Sequence, residues 1–241
     1  MYEIPKHAKI TITIILSYLV AHFGLIFAFP LASAHYLVTA LAVLLMTFLS
    51  TALFIAAHDA MHGLSWPGNE DRNRLLGQTA CLIYGLFSFD EMKASHDSHH
   101  ANPGTKNDPD FLNDTYANEG PLRWYFHFFR ANFRWTQLAG IFVISMIYKN
   151  TLGADLSNML LFWALPGFLS SFQLFFFGTY LPHRKTDQPF SDNHRARSND
   201  YPAWLSFITC LHFGYHHEHH LFPYLAWWQL PAARRQEVGP R

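Results

Sequence analysis

Two long stretches of the chain carry no charge, and they dominate its hydropathy pattern. No Asp, Glu, Lys or Arg occurs from position 10 to 57 or from 156 to 182. A helix needs about 20 apolar residues to cross the hydrocarbon core of a bilayer. Pro30 and the short segment after it divide the first stretch. We therefore predict two membrane-spanning helices, at residues 9–29 and 34–57, joined by a tight reversal of the chain.

The later apolar segments are shorter or less regular. Residues 75–89 lie between charged residues and are too short for a full crossing, which favours a re-entrant or interfacial helix. Residues 122–135 mix aromatic side chains with arginines, as a helix in the headgroup plane does. Residues 137–148 and 156–180 form a second hairpin in this interpretation. The pattern predicts an all-α integral membrane protein, a single membrane-embedded domain over residues 1–241 with about four transmembrane helices in two hairpins.

Charge placement predicts the orientation in the membrane. Lys6 precedes the first span and Lys9 begins it, whereas Arg72, Arg74 and Lys93 follow the second. By the positive-inside rule these segments are cytoplasmic, so we expect a multi-pass protein of the cell inner membrane with its N- and C-termini in the cytoplasm. The formal net charge is zero and no basic block occurs. Nucleic acid is therefore not an expected partner.

Histidines add a candidate chemistry to this framework, because they form three clusters near the ends of apolar segments. Residues three and four apart lie on one face of a helix, so the histidines of each cluster can point to a common centre. Imidazole is a ligand for iron, zinc, copper and nickel rather than for magnesium or calcium. A zinc site takes about four protein ligands, so eight imidazoles indicate two metal ions. The clusters are His58 and His62; His96, His99 and His100; and His216, His219 and His220.

One more histidine is a candidate ligand. His183 follows the last predicted span beside Arg184 and Lys185, so it reaches the membrane face that carries the clusters. Two metals with eight imidazoles have room for a ninth. The sequence does not assign His212. Five other histidines are expected to be structural or solvated and to tolerate substitution: His7, His22, His35, His127 and His194.

Polar residues within and beside the clusters are candidates for orienting the ligands. A side chain that hydrogen-bonds one ring nitrogen of a histidine fixes which nitrogen faces the metal. For the acidic residues within the first and third clusters, the alternative is a surface role. For those after the second cluster it is a solvated turn, and for His217 it is a spacer between ligands. The candidates are Asp59, Asp108, Asp110, His217 and Glu218.

A histidine-rich pair of metals at a membrane favours oxygen chemistry on a lipid-soluble substrate. Iron with open coordination positions supports reactions of O₂. The shortage of carboxylates among the candidates distinguishes this site from the Glu-rich di-iron bundles of soluble proteins. A membrane metal transporter is the alternative from another functional class. Transporters bind their ions near the bilayer midplane in interrupted helices, whereas these histidines follow the ends of the spans, which disfavours transport.

The three histidine boxes resemble those of the membrane fatty acid desaturase and hydroxylase superfamily. The stretches around them are similar, more narrowly, to the bacterial β-carotene ketolase family. This similarity runs from about residue 54 to the C-terminus and includes the overall length. It is carried by residues 57–63, 103–111, 178–184 and 216–221 and by Trp227-Trp228-Gln229-Leu230-Pro231.

The resemblance implies a histidine-bound di-iron centre that uses O₂ and an external electron donor of the ferredoxin type. The implied ligands are the eight clustered histidines and His183. The implied reaction oxidises the C4 methylene of a β-ionone ring, where two successive hydroxylations give a gem-diol that loses water to a ketone. β-Carotene would become echinenone and then canthaxanthin, and zeaxanthin could likewise lead to astaxanthin.

A carotenoid ring hydroxylase or a fatty acyl desaturase of the same superfamily is the closest alternative. The first box has one residue fewer between His58 and His62 than acyl desaturases commonly have, which disfavours an acyl substrate. Ala226 stands where a ketolase is expected to carry proline. The sequence leaves open the preference for hydroxylated rings, the identity of the electron donor and the oligomeric state.

Overall fold

The computed structural model describes residues 3–111 and 120–238, and within these ranges the regular structure is helical, with no strand. The predicted domain of residues 1–241 also includes positions outside these ranges. In chain order the helices are α1 Lys6–Ala28, α2 Tyr36–Met61, α3 Glu70–Gly85, α4 Phe89–Ala101, α5 Pro121–Asn132, α6 Trp135–Asn150, α7 Leu156–His183, α8 Ala203–Cys210, α9 His216–Leu221 and α10 Leu230–Val238.

Three helices among the described residues are long and apolar enough to cross a membrane. They are α1, α2 and α7, with 23, 26 and 28 residues. The remaining predicted span, residues 137–148, lies within α6, which has 16 residues. At 1.5 Å per residue this helix is about 24 Å long, shorter than the roughly 30 Å of a hydrocarbon core. By length, then, α6 differs from the other three predicted spans.

Helix α2 is central to the packing. It contacts α1, α3 and α7, and its residues 50–61 are buried except for Phe54, which is half-buried. Thr51 of α2 hydrogen-bonds Ser170 Oγ at 3.0 Å and Gln173 Oε1 at 2.7 Å, both in α7. An all-apolar helix is expected where protein or lipid surrounds every face. This packing fixes the end of α2 where the first histidine cluster lies.

Helix α3 begins earlier than the sequence pattern indicated. The apolar pattern predicts a helix over residues 75–89, but α3 starts five residues sooner because the Asn69 side chain accepts a hydrogen bond from Arg72 N at 3.0 Å. The missing side chain of Gly77 lets α3 lie close to its neighbours. A Cβ there would be 2.3 Å from the Phe89 ring and 2.9 Å from Ala60 Cβ. Helix α3 therefore packs along α2 and leads directly into α4.

Helix α7 contains two π-helical segments, Leu160–Ala164 and Phe175–Tyr180. Each is followed within two residues by a proline, Pro166 or Pro182. A proline inside an α-helix lacks an N–H and clashes with the carbonyl four residues earlier. The wider π turn relieves this conflict. The helix therefore continues to its last residue, His183.

Candidate metal centre

All nine predicted histidine ligands converge at one end of the helical bundle. The end of α2 supplies two of them, α4 three and α9 three, while α7 supplies the ninth. Eight of the nine fall into two groups of four, and within each group the ligand nitrogens lie within 4.8 Å of one another. The first group is His58, His62, His96 and His219. The second group is His99, His183, His216 and His220.

In the first group, two ring nitrogens from different helices almost touch. His62 Nε2 lies 2.8 Å from His96 Nε2. The rings of His58 and His219 are close to both, with a centroid separation of 4.6 Å between them. The Nε2 atom of His58 is buried and has no hydrogen-bond partner. A buried nitrogen without a partner is costly unless something else binds it.

All four members of the second group are buried. His220 Nε2 lies 3.2 Å from His99 Nε2 and 3.1 Å from His216 Nε2. His183 Nδ1 is 2.8 Å from the Arg195 carbonyl oxygen, which places the proton on Nδ1. Its buried Nε2 has no hydrogen-bond partner. This nitrogen therefore keeps a lone pair for the group.

His100 lies between the two groups. Its Nε2 is 3.0 Å from His219 Nε2 of the first group. Its ring stacks on His220 of the second group, with a centroid distance of 4.3 Å and an interplanar angle of 22°. His100, the one predicted ligand outside the two groups, is thus within reach of both.

Phe213 is the apolar neighbour of both groups. Its ring packs edge-on against His58 and His216, at centroid distances of 4.9 and 5.3 Å. Gly178 of α7 provides the space, because a Cβ there would lie 2.1 Å from the Phe213 ring. The glycine of the Gly178-to-Arg184 stretch is therefore needed where a helix meets the back of the site.

Burial keeps most of these imidazoles in the neutral form that binds metals. Removal from water lowers the pKa of His62 to about 4 and that of His100 to about 2, where neighbouring histidines add to the effect for His100. A metal ligand must be deprotonated, so neutral rings need no proton release to bind an ion. Burial followed by the neighbouring histidines also lowers the pKa well below its usual value in His96, His216, His219 and His220.

His99 differs because it has a carboxylate partner. Burial lowers its pKa, but the hydrogen bond with Asp108 and the charges of Asp110 and Asp108 raise the pKa overall. His99 Nδ1 lies 2.9 Å from Asp108 Oδ1. Asp108 also accepts hydrogen bonds from Gly104 N at 2.8 Å and Asp110 N at 2.9 Å, so the loop holds it in place. Asp108 therefore fixes the proton on Nδ1 and turns Nε2 of His99 towards the second group.

The structure separates the other candidate orienting residues. Asp110 Oδ2 is 3.9 Å from His99 Nδ1. Asp59 is buried, with Oδ1 3.7 Å from His58 Nδ1 and Oδ2 accepting a hydrogen bond from Trp227 N at 3.3 Å. Both carboxylates therefore lie beside a clustered histidine.

His217 and Glu218 point away from the histidine groups, contrary to the expectation that they orient imidazoles. His217 Nε2 is 2.7 Å from Asp192 Oδ2. The buried Glu218 accepts hydrogen bonds from the Ser198 hydroxyl and from Arg234 Nη1, the latter at 2.7 Å. Neighbouring residues on a helix face different directions, so the middle of the short α9 cannot face the same way as its ends. Glu218 instead anchors α10.

Three histidines outside the predicted ligand set are buried or half-buried and contact other rings. His22 is buried, with Nε2 3.3 Å from Tyr148 Oη. The His194 ring is half-buried, 6.1 Å from the His220 ring, rather than solvated. His212 stacks on Tyr215, with ring centroids 5.7 Å apart and an angle of 10°. Of these three, only His194 is near the histidine groups. It has no other histidine at helical spacing, so the sequence pattern did not predict this position.

The comparison with known families agrees with this geometry. Residues 34–155 and 134–240 match the fatty acid desaturase family. The chain belongs to the fatty acid desaturase family. This desaturase-family chain is also similar to proteins named "Beta-carotene ketolase" in two Paracoccus strains, which confirms the resemblance seen in the sequence.

The relatives are similar over most of the chain. The protein of Paracoccus sp. (strain PC1) is 44% identical over 231 residues, 94% of this chain and 91% of the relative. That of Paracoccus sp. (strain N81106 / MBIC 01143) is 44% identical over 204 residues, 84% of this chain and 82% of the relative. A "Zeaxanthin 4-ketolase" of Chlamydomonas reinhardtii is 37% identical over 197 residues, 80% of this chain and 44% of the relative.

The donor set of this desaturase-family protein fits a transition metal in each group. Two imidazole nitrogens about 3 Å apart satisfy each other only when one of them carries a proton. The unpartnered Nε2 atoms of His58 and His183 show that protons alone do not satisfy the groups. A cation that prefers nitrogen ligands would satisfy all of these atoms together.

The Glu218–Arg234 ion pair gives a test of how this family member holds its third histidine cluster. Replacing Arg234 by alanine leaves the Glu218 carboxylate, 1% exposed, without its charged partner. We expect a loss of about 3 kcal/mol in unfolding free energy and a lower melting temperature in detergent. The control is Arg235→Ala, because that exposed neighbour should change stability by less than about 0.5 kcal/mol. Equal melting temperatures for the two variants would contradict this role.

Proposed function

We propose that the chain is a β-carotene ketolase that oxidises the C4 methylene of β-ionone rings to a ketone. The 44% identity to the Paracoccus strain PC1 relative, over 91% of that protein, carries the proposal. The reaction proceeds by two hydroxylations at C4 and loss of water from the gem-diol. It converts β-carotene into echinenone and canthaxanthin, and zeaxanthin into astaxanthin.

The proposed cofactor is a pair of Fe²⁺ ions, one held by each histidine group. The ligands are the four members of the first group, the four members of the second, and His100 between them. Bound iron would supply the activation of O₂. The role of the protein is to position neutral nitrogens: Asp108 and the Arg195 carbonyl fix the tautomers of His99 and His183.

The proposed substrate site adjoins the first group. An apolar cavity of about 400 Å³ reaches His58 and His96, and Phe213 and Thr179 line it at the same end. Apolar walls suit a carotenoid ring, and they keep water from the reacting carbon. The C4 methylene carries no polar handle, so shape and burial must orient it.

Electrons must come from outside the chain. Each hydroxylation places one oxygen atom of O₂ in the substrate and reduces the other to water, which consumes two electrons and two protons. We propose a ferredoxin-type protein as the donor. It would dock on the cytoplasmic side, where the histidine groups lie in the topology proposed below.

The proposed topology is a single domain with four spans in two hairpins, α1 with α2 and α6 with α7. The multi-pass bundle would lie in the cell inner membrane, with both termini and the histidine cap in the cytoplasm. Basic residues in the first turn of α1, Lys6 and Lys9, and others after α2 support this orientation. Local thinning of the bilayer would accommodate the shorter α6.

Product analysis tests the reaction. Bacterial cells that make β-carotene should accumulate echinenone and canthaxanthin when they express the protein, and cells that make zeaxanthin should accumulate astaxanthin. Extracts are compared by chromatography with cells that carry an empty vector. Hydroxylated carotenoids without a ketone would identify a ring hydroxylase, and unaltered β-carotene with altered fatty acids would identify an acyl desaturase. Either result would overturn the proposal.

Substitution of one ligand tests the metal assignment. His183→Ala should lose about half of the bound iron and nearly all ketone formation, because the second group then lacks one nitrogen. The iron content of the purified protein is measured by elemental mass spectrometry. His35→Ala is the matched control, since His35 is exposed at the opposite end of α2 and should keep both iron and activity. Full iron content and activity in His183→Ala would remove it from the ligands.

A further inference from the structure

The cavity beside the first histidine group extends far along one helix. Residues of α7 that line the cavity are spaced four, seven or eight positions apart, at Leu156, Leu160, Gly167, Ser171 and Thr179. These positions share one face of the helix. From the first to the last the helix rises roughly 35 Å at 1.5 Å per residue. The cavity is therefore long and narrow.

The two ends of the cavity lie at opposite ends of the bundle. The start of α1 lies at the histidine end, because the His7 ring is 4.9 Å from the Trp228 ring. The neighbouring Trp227 N–H donates a hydrogen bond to Asp59, which is beside His58. At the other end, the Asn158 side chain donates hydrogen bonds to carbonyl oxygens at the end of α1, including Phe29 O at 3.0 Å. The Leu156 end of the cavity therefore lies by the far end of α1.

One long side of the cavity faces lipid. Leu138, Ile141 and Ser145 of α6 line it opposite α7. Leu138, Leu160 and Phe168 line the cavity and are still 45%, 54% and 50% exposed. Gln137 is the only buried residue of α6. The cavity is thus an open slot between α6 and α7, which an apolar molecule can enter from the bilayer.

We propose that this slot binds an extended C40 carotenoid lengthwise across the membrane. The proposal rests on the ketolase function. One ring lies beside His58 and His96, the polyene lies between α6 and α7, and the second ring lies near Leu156. An extended C40 carotenoid has about the length of the hydrocarbon core, roughly 30 Å, which matches the slot. Only one ring reaches the histidines at a time, so the monoketone must leave and reverse before the second ring reacts.

A block half-way along the slot tests this binding mode. Gly167 lines the slot about 18 Å from Thr179 at the histidine end. A Cβ at Gly167 meets no atom within 4 Å, so Gly167→Leu fills the slot without moving the helix. Ketone formation is measured with two substrates, β-carotene and β-ionone. β-Ionone carries the same ring on a short chain, so it does not extend to position 167. Ketone formation from β-carotene should fall at least about tenfold, while that from β-ionone should change less than about twofold.

The matched control is Gly24→Leu. Gly24 is exposed in α1, an added Cβ there also meets no atom within 4 Å, and it does not line the slot. It should leave both reactions unchanged. The iron content of each purified variant shows whether its metal centre is intact. If Gly167→Leu loses iron, Ala164→Leu, on the same wall of the slot, is used in its place.

The outcomes separate the binding mode from the function. Unchanged β-carotene turnover in the blocked variant, or an equal loss with both substrates, would overturn lengthwise binding and leave the ketolase function intact. Wild-type protein that forms no ketone from β-carotene would overturn the function and this inference together. Loss confined to β-carotene supports the slot.

Discussion

The structure depends on one constraint: buried imidazole nitrogens from four separate helices meet in a small volume and need a common partner. Burial keeps most of the rings neutral, and it also makes unpartnered atoms such as His58 Nε2 costly. The ends of α2, α4, α7 and α9 are therefore fixed relative to one another. In the proposed enzyme a pair of irons meets this need, so metal binding and folding of this end of the bundle are coupled.

Contacts outside the histidine boxes hold the rings in their directions. Asp108 and the Arg195 carbonyl place protons on the outer nitrogens of His99 and His183. Phe213 fills the space behind both groups because Gly178 leaves room for its ring. The supporting groups are a carboxylate and a backbone carbonyl in loops and an aromatic ring just before the third cluster. These contacts join parts of the chain that are far apart in sequence, since Asp108, Gly178 and Arg195 all contribute.

Helical spacing and hydropathy were sufficient to predict much of this arrangement. The convergence of the nine histidines, the three long helices and the contact of Asp108 with a clustered histidine, His99, all follow from local pattern. Local pattern could not predict how the histidines divide between two groups, because that division depends on how α4 crosses the ends of α2 and α9. It also missed the direction of Glu218 and the position of His194, which tertiary packing sets. The early start of α3 followed a capping residue, Asn69, that hydropathy alone ignores.

In the proposed enzyme, each of the two histidine groups holds one iron ion. The most direct measurement is the iron content of purified, active protein, combined with X-ray absorption at the iron edge. We expect about two irons per chain with mostly nitrogen ligands at each. An active preparation with no iron, or with a single iron per chain, would contradict it.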